Sequence, residues 1–343
     1  MRTGNFRVAA LFSALVVALS VVPGCSKNKP ASTSSSSSPY GDEVLKELKV
    51  PANEWAYIAE AKGWFNETFE QYGIKVSLVQ GTLGNEAQLM ARKDLHFANR
   101  MIYPYLLYRI QGADLTVVQV STHPQPEIAS IMVLKDSPVQ TFDDLKGKKV
   151  ASWRAGCPYM VLYELAEQRN WVQGVDWTYV NIPSGEQKNA LLSREIDAVS
   201  HHLLGDTAQL VISGLAREVA HPSMDSIYIN GGGVSVTFTS AEFARNYPKI
   251  TKAYNNLLIG TEQWMLANLD EASKLVEDIT RVPAEVSKFA WTRMGSTWKA
   301  SGLDLETIKK ETNDLQDWLV AHGDIDADKR INTADLFDPQ YFN

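Results

Sequence analysis

The residues able to do chemistry gather at a few strand ends and helix starts. The most informative run is Trp153-Arg154-Ala155-Gly156-Cys157-Pro158-Tyr159. Val150 to Trp153 reads as a short strand, Arg154-Ala155-Gly156 as a turn and Cys157-Pro158 as the start of a helix. Proline suits the first helical position because it leaves no N–H unpaired there. Val161, Leu162, Leu165 and Ala166 then recur at helical spacing. The free N–H groups and partial positive charge of such a terminus suit an anion or a polar ligand edge. Arg154 adds a full charge beside it, and Tyr159 a hydroxyl one step inside. In Thr82-Leu83-Gly84-Asn85-Glu86, Gly84 makes a turn and Asn85 is placed to cap a helix running to Arg92. Arg100 follows the short strand His96 to Ala98 and offers a second guanidinium for a bidentate contact. Trp55, after the first strand, could cover the apolar part of a ligand.

Two further features invite a catalytic or metal reading. His201-His202 ends the strand Ile196 to Ser200. Neighbours on a strand point to opposite sides, so one imidazole is expected to face a cleft rather than both to hold one ion. Cys157 at a helix N-terminus beside Arg154 should have a lowered pKa and real nucleophilicity, but the sequence identifies no adjacent base. Asp324 to Asp335 spaces its carboxylates like a calcium loop. Lys329 stands at its sixth position, where the sharp turn needs glycine, so no metal site is expected, and no cofactor.

These positions need a scaffold of alternating strands and helices. Leu48-Lys49-Val50, Ile74 to Val79, Leu115 to Val120 and Ile128 to Leu134 read as strands, as do Trp177 to Ile182 and Val234 to Phe238. Helical patterns lie between them, so the sheet should be largely parallel. From Ala241 onward the chain reads as successive helices.

The 343 residues open on a segment outside this scaffold. Arg2 and Arg7 precede an apolar run, Val8 to Val22, followed by Pro23-Gly24-Cys25, the layout of a secretory signal. The run is short for a membrane span, which needs about 20 apolar residues. Lys27 to Pro39, with its serine run, reads as a flexible tether. Without residues 1–24 the chain has 31 basic and 40 acidic residues, a net charge of −9 with histidines neutral. That argues against nucleic acid as a partner. With two cysteines there is no disulfide framework and no cysteine metal cluster.

Several phrases resemble, in order and spacing, the periplasmic substrate-binding proteins for aliphatic sulfonates, taurine and nitrate, a family that also includes pyrimidine-precursor binders. Glu54 to Phe65 is similar to the opening "YVAKEKGFF". Asp144 to Ala151 resembles "DLKGKKVA", Ala190 to Ala198 "AL…GEIDA", and Leu336 to Phe342 the terminal "LVDPSFL". Cys25 after Gly24 resembles the lipid-bearing cysteine of a bacterial lipoprotein signal. The sequence departs from the family where His201-His202-Leu203-Leu204-Gly205-Asp206 replaces a tryptophan-rich "WDPW", and where Cys157 replaces a frequent serine.

The resemblance implies an α/β fold of two lobes, the type II periplasmic-binding-protein fold, with mixed, mostly parallel sheets and a ligand cleft between lobes. The expected division is a signal peptide 1–24, a lipid-anchored tether 25–41, lobe 1 from 42–134 and 235–343, and lobe 2 from 135–234. It implies hinge closure on a small polar or anionic organic molecule and delivery to a membrane permease with its ATPase. The protein would be a monomer anchored in the cell envelope, facing the periplasm or the exterior. Ligand contacts are expected from Trp55, Gly84, Asn85, Arg100, Arg154, Gly156, Cys157, Tyr159, His201 and His202. A relative of this fold that uses Cys157 as an enzyme, to cleave a sulfinate or build a pyrimidine, is the alternative.

Overall fold

The computed structural model describes residues 44–121, 123–295 and 304–342, all within one unit, Glu43–Asn343. The expected signal segment, the lipidation site Cys25 and the tether lie outside the described residues.

Strand β1 (Glu47–Pro51) buries Leu48 and Val50 and turns into α1 (Glu54–Ala61). Asn53 caps that helix, its side-chain oxygen accepting from the Ala56 N–H at 3.1 Å. Gly63, at φ +77°, lets the chain turn sharply from α1 into α2 (Trp64–Phe69); a left-handed backbone there costs glycine little. Strand β2 (Lys75–Val79) runs parallel to β1, Leu48 beside Val76. After α3 (Glu86–Ala91), β3 (Phe97–Met101) passes directly into α4 (Ile102–Ile110). Strand β4 (Leu115–Val120) is buried along nearly its whole length, as its mostly apolar sequence suggests.

The chain then enters a second sheet through β5 (Ala129–Leu134), β6 (Lys149–Ser152), α5 (Pro158–Glu167), β7 (Thr178–Asn181) and α6 (Ser184–Leu192). Strand β8 (Ala198–His202), α7 (Gly205–Ile212) and β9 (Ala216–Ala220) complete it. Its order is β7-β6-β8-β5-β9. Strand β10 (Ser235–Ser240) returns between β3 and β4, as the sequence of Val234 to Phe238 suggested. Among the described residues the α-helices that follow are α8 (Ala241–Asn246), α9 (Pro248–Ala267), α10 (Leu269–Thr280), α11 (Ala284–Met294) and α12 (Leu305–Ala321).

The fold is α/β with mixed sheets. The crossover strands β5 and β10 run antiparallel to both their neighbours, and β1–β2, β6–β7 and β6–β8 are parallel. Ile128 to Leu134, placed by the sequence at the end of the first segment, supplies β5 of the five-stranded sheet. Its backbone there pairs with β8 and β9.

The largest apolar cluster joins Val117, Val236 and Phe238 of the three-stranded sheet to Val133 and Val150 of the five-stranded one, with Leu162 of α5 and Leu315 and Leu319 of α12. A second cluster packs Leu48, Trp55, Phe97 and Tyr254, and a third lies under α6 and α7. The chain end is tied to β4. The Tyr105 hydroxyl and the Val117 N–H both donate to the Leu336 carbonyl, at 2.7 and 2.9 Å.

Candidate functional site

Strands β6 and β8 are parallel neighbours, and ligands of such sheets bind beyond the carboxyl ends of the strands. A cavity of about 220 Å³ opens there. One wall comes from the three-stranded side: Leu83, Arg100, Met101 and Pro104. The other comes from the five-stranded side: Ser152 at the end of β6 with Trp153, Gly156, Cys157 and Pro158 beyond it, Ser184 and Gln187 of α6, and Ser200, His201 and His202 of β8 with Leu204 beyond it. Met101, Cys157 and Leu204 are the cap residues of α4, α5 and α7, and Ser184 opens α6. Four helix N-termini therefore border one small volume. Each carries unpaired N–H groups and a partial positive charge.

The far wall is knitted by serines. Ser152 Oγ donates to the Ser200 carbonyl at 3.1 Å, and Ser200 Oγ to the Pro158 carbonyl at 2.6 Å. These bonds lock β6, β8 and the start of α5 together. Trp153, half-buried, forms the aromatic part of the wall. Its Cη2 would lie 3.7 Å from a β-carbon placed on Gly84, so the indole spans the gap to the opposite side. Gly84 has φ +83°, which favours glycine.

Cys157 and His202 meet at the back of the cavity, Sγ to Nε2 at 3.3 Å. Burial pushes the thiol up to about 12, and burial, followed by the charges of His201 and Arg100, lowers His202 to about 3. The pair is a neutral thiol against a neutral imidazole. The thiolate expected from the helix terminus is not favoured, because desolvation outweighs the dipole. Both histidines border the cavity, where one was expected: His201 near the end of β8 and His202 as its last residue, ring planes 82° apart. His201 Nδ1 donates to the His202 carbonyl at 2.7 Å, and burial lowers its pKa, so the ring is neutral.

Arg100 lines the cavity, but its charge is matched. Its guanidinium bonds Glu86 at 2.6 Å, and the Tyr108 hydroxyl donates to the second carboxylate oxygen at 2.5 Å. Both side chains are largely buried.

Five expected contacts lie outside the cavity lining. Arg154 turns away and pairs with Asp324, Nε to Oδ1 at 2.6 Å. Tyr159 follows it, its hydroxyl donating to Asp324 Oδ2 at 3.1 Å and its ring beneath the guanidinium. The same carboxylate that looked like the first ligand of a calcium loop is thus taken up by this pair. Trp55 is buried in the second apolar cluster, edge-on to Phe65 and Tyr254. Asn85 precedes α3 without a side-chain capping bond, and neither it nor Gly84 is among the residues lining the cavity. Gly156, Cys157, Arg100, His201 and His202 are brought together there.

Trp153, Ser184 and Gln187 were not singled out from the sequence. Their signal was positional: each lies just beyond a strand of a parallel pair, where ligands of α/β sheets bind.

The family model described as NMT1/THI5 like matches residues 55–282. That is more than half of the chain, and the chain belongs to this family. A Bacillus subtilis (strain 168) protein bearing the name of an aliphatic sulfonates-binding protein is 23% identical over 340 residues, covering 94% of this chain and 93% of its own. The alkanesulfonate-binding protein SsuA of Xanthomonas axonopodis pv. citri, solved bound to MOPS, superposes with a TM-score of 0.73 at 16% identity. The match covers 87% of this chain and 99% of that one. The periplasmic aliphatic sulphonate binding protein SsuA of Escherichia coli gives 0.72 at 16% identity, with the same coverage. The shared fold is that of periplasmic binding proteins.

Proposed function

We propose that this member of the NMT1/THI5-like family is an extracytoplasmic solute-binding protein that captures a small polar or anionic organic molecule for an ABC permease and its ATPase. The observation that carries the reading is the cavity itself, walled from two sheets and bordered by four helix N-termini. Two lobes, built on the three-stranded and five-stranded sheets, close on the ligand about their two connections, near residues 123–128 and 233–235. Closure of this kind is the common binding motion of the periplasmic binding fold.

The N-termini hold the acidic or electron-rich head of the ligand, each contributing about 0.3–1 kcal/mol and more when partly buried. Trp153 covers its apolar part. Arg100 adds a donor without adding net charge to the wall, since Glu86 stands behind it. The sulfonate-binding names of the similar proteins support a sulfonate as one ligand class. The protein is tethered through Cys25 to the cell envelope, facing the periplasm or the exterior, and works as a monomer.

The second reading, a cysteine-dependent enzyme, is favoured by one contact, the 3.3 Å approach of Cys157 to His202. The neutral state of both groups and the 1% exposure of Cys157 weigh against it.

A thermal-shift panel of sulfonates, carboxylates, inorganic anions and heterocycles tests the proposal, since a ligand that binds only the folded state raises the melting temperature. The hit should be recovered chemically unchanged after prolonged incubation. No shift across the panel refutes capture. Turnover abolished by Cys157→Ser establishes the enzyme instead.

A further inference from the structure

We propose that the ligand of this cavity carries an N–H or O–H group, and that the side-chain oxygen of Gln187 selects for it. The inference rests on the capture reading and narrows its ligand class. Gln187 lies in the cavity wall on α6 and is 1% exposed. Its Nε2 donates to the Ile182 carbonyl at 2.7 Å. That bond fixes the amide orientation, because the reverse would set two oxygens against each other. Oε1 is then left buried with no partner among the described residues. A buried acceptor is paired in nearly all native sites, so one beside a cavity marks a partner that arrives with the ligand.

The neighbouring groups have the same polarity. Ser152 and Ser200 spend their hydroxyl hydrogens on the Ser200 and Pro158 carbonyls, and retain only lone pairs. His201 spends its Nδ1 hydrogen on the His202 carbonyl, so its Nε2 is an acceptor in the neutral ring. The cavity therefore has two unlike sides. Helix N-termini and Arg100 offer donors. Ser152, Gln187, Ser200 and His201 offer acceptors. A bare inorganic anion or an alkyl-only acid satisfies the first side and leaves the second unpaired. A molecule with an acidic or electron-rich head and a hydroxyl, amino or amide tail satisfies both.

Matched ligands test this on the purified protein by titration calorimetry. Three heads are offered: sulfonate, carboxylate and pyrimidine. Each comes as a pair in which a methyl group replaces a hydroxyl or amino group. Sites built around a hydrogen bond reject the analogue lacking it, so the donor-bearing member should bind at least about tenfold tighter. In Gln187→Met, which keeps the volume and removes the acceptor, that preference should fall below about threefold. Equal binding within every pair by the native protein overturns the inference, whatever the variant's stability. So does a preference that survives in Gln187→Met. Binding of no member of any pair overturns the capture reading, and the inference with it.

Discussion

Replacing Arg154 with alanine separates a structural role from a ligand-binding one. The guanidinium contacts Asp324 Oδ1 through two nitrogens, at 2.5 and 2.6 Å. The Asp324 side chain is 4% exposed and that of Arg154 43%. A hydrogen bond to a charged group contributes about 1.5–3 kcal/mol. The exposure of the arginine draws the value toward or below the lower end, because solvent screens the pair. The carboxylate also keeps the Tyr159 hydroxyl, and water can enter where the guanidinium was. A loss of about 1–2 kcal/mol follows. The bond from the Tyr103 hydroxyl to the Arg154 carbonyl, 2.6 Å, involves the backbone and survives the change.

In a chain of this size each kcal/mol moves the melting temperature by roughly 2–4 °C, so a drop of about 2–8 °C is expected. Urea unfolding should show a lower midpoint at unchanged slope. Asp324→Ala should destabilise in the same direction, and the double variant should fall short of the sum of the two, since both remove one interaction. Calorimetry with a ligand from the panel should return a dissociation constant within about twofold of the native protein, well under the 1.4 kcal/mol that a tenfold change represents. A tenfold weaker ligand with an unmoved unfolding midpoint would refute this reasoning and return Arg154 to the site.

Cys157 should resist iodoacetamide at pH 8 by at least about a hundredfold relative to the urea-unfolded chain, since the thiolate is the reactive form and burial pushes its pKa to about 12; rapid alkylation of the folded protein, read by mass spectrometry, contradicts this. His96 accepts the Lys49 N–H on Nδ1 at 2.8 Å, and burial lowers its pKa from 6.5 to about 4. Protons then favour the unfolded chain, so its contribution is complete above about pH 6.5 and is lost as the pH falls toward 4, with a slope of up to about 1.4 kcal/mol per pH unit. Urea midpoints measured from pH 7.5 to 4.5 should fall less steeply in His96→Gln; equal slopes refute the assignment. Growth with radioactive palmitate should label the native protein and leave Cys25→Ala unlabelled, and equal label in both removes the lipid anchor.

Local chemistry was legible wherever it decided the backbone. Gly156 and Pro158 announced the turn and the start of α5. Side-chain destinations were not, because they depend on partners far along the chain. The partner of Arg154 lies 170 residues downstream, and that of Cys157 lies 45 residues away. Nothing near Trp55 in sequence shows that Tyr254 closes over it. Asn85 stands where a capping residue belongs, yet its side chain makes no capping bond. Gln187 sits on a helix whose apolar residues, Ala190, Leu191 and Leu192, come only in its last turn, so a glutamine one turn earlier read as solvent-facing. Arg100 lines the cavity, but its neutralising partner Glu86 looked like an ordinary first-turn acid.

The apolar cluster that runs from Val117 and Phe238 to Val150 and Leu162 joins residues from both sides of the cavity. In the proposed closure, opening cannot part that shared interior without wetting it, so the two connections flex while the interior stays packed. Only the mouth comes apart, where Trp153 leans on Gly84 and Tyr103 holds the Arg154 carbonyl. Capture then buries little protein surface beyond what the ligand itself covers. The heat-capacity change of binding should track the apolar area of the ligand from one compound to the next. Small-angle scattering should register almost no contraction on saturation. Substitutions deep in the shared interior, far from any ligand atom, can then retune affinity by altering the population of the open form.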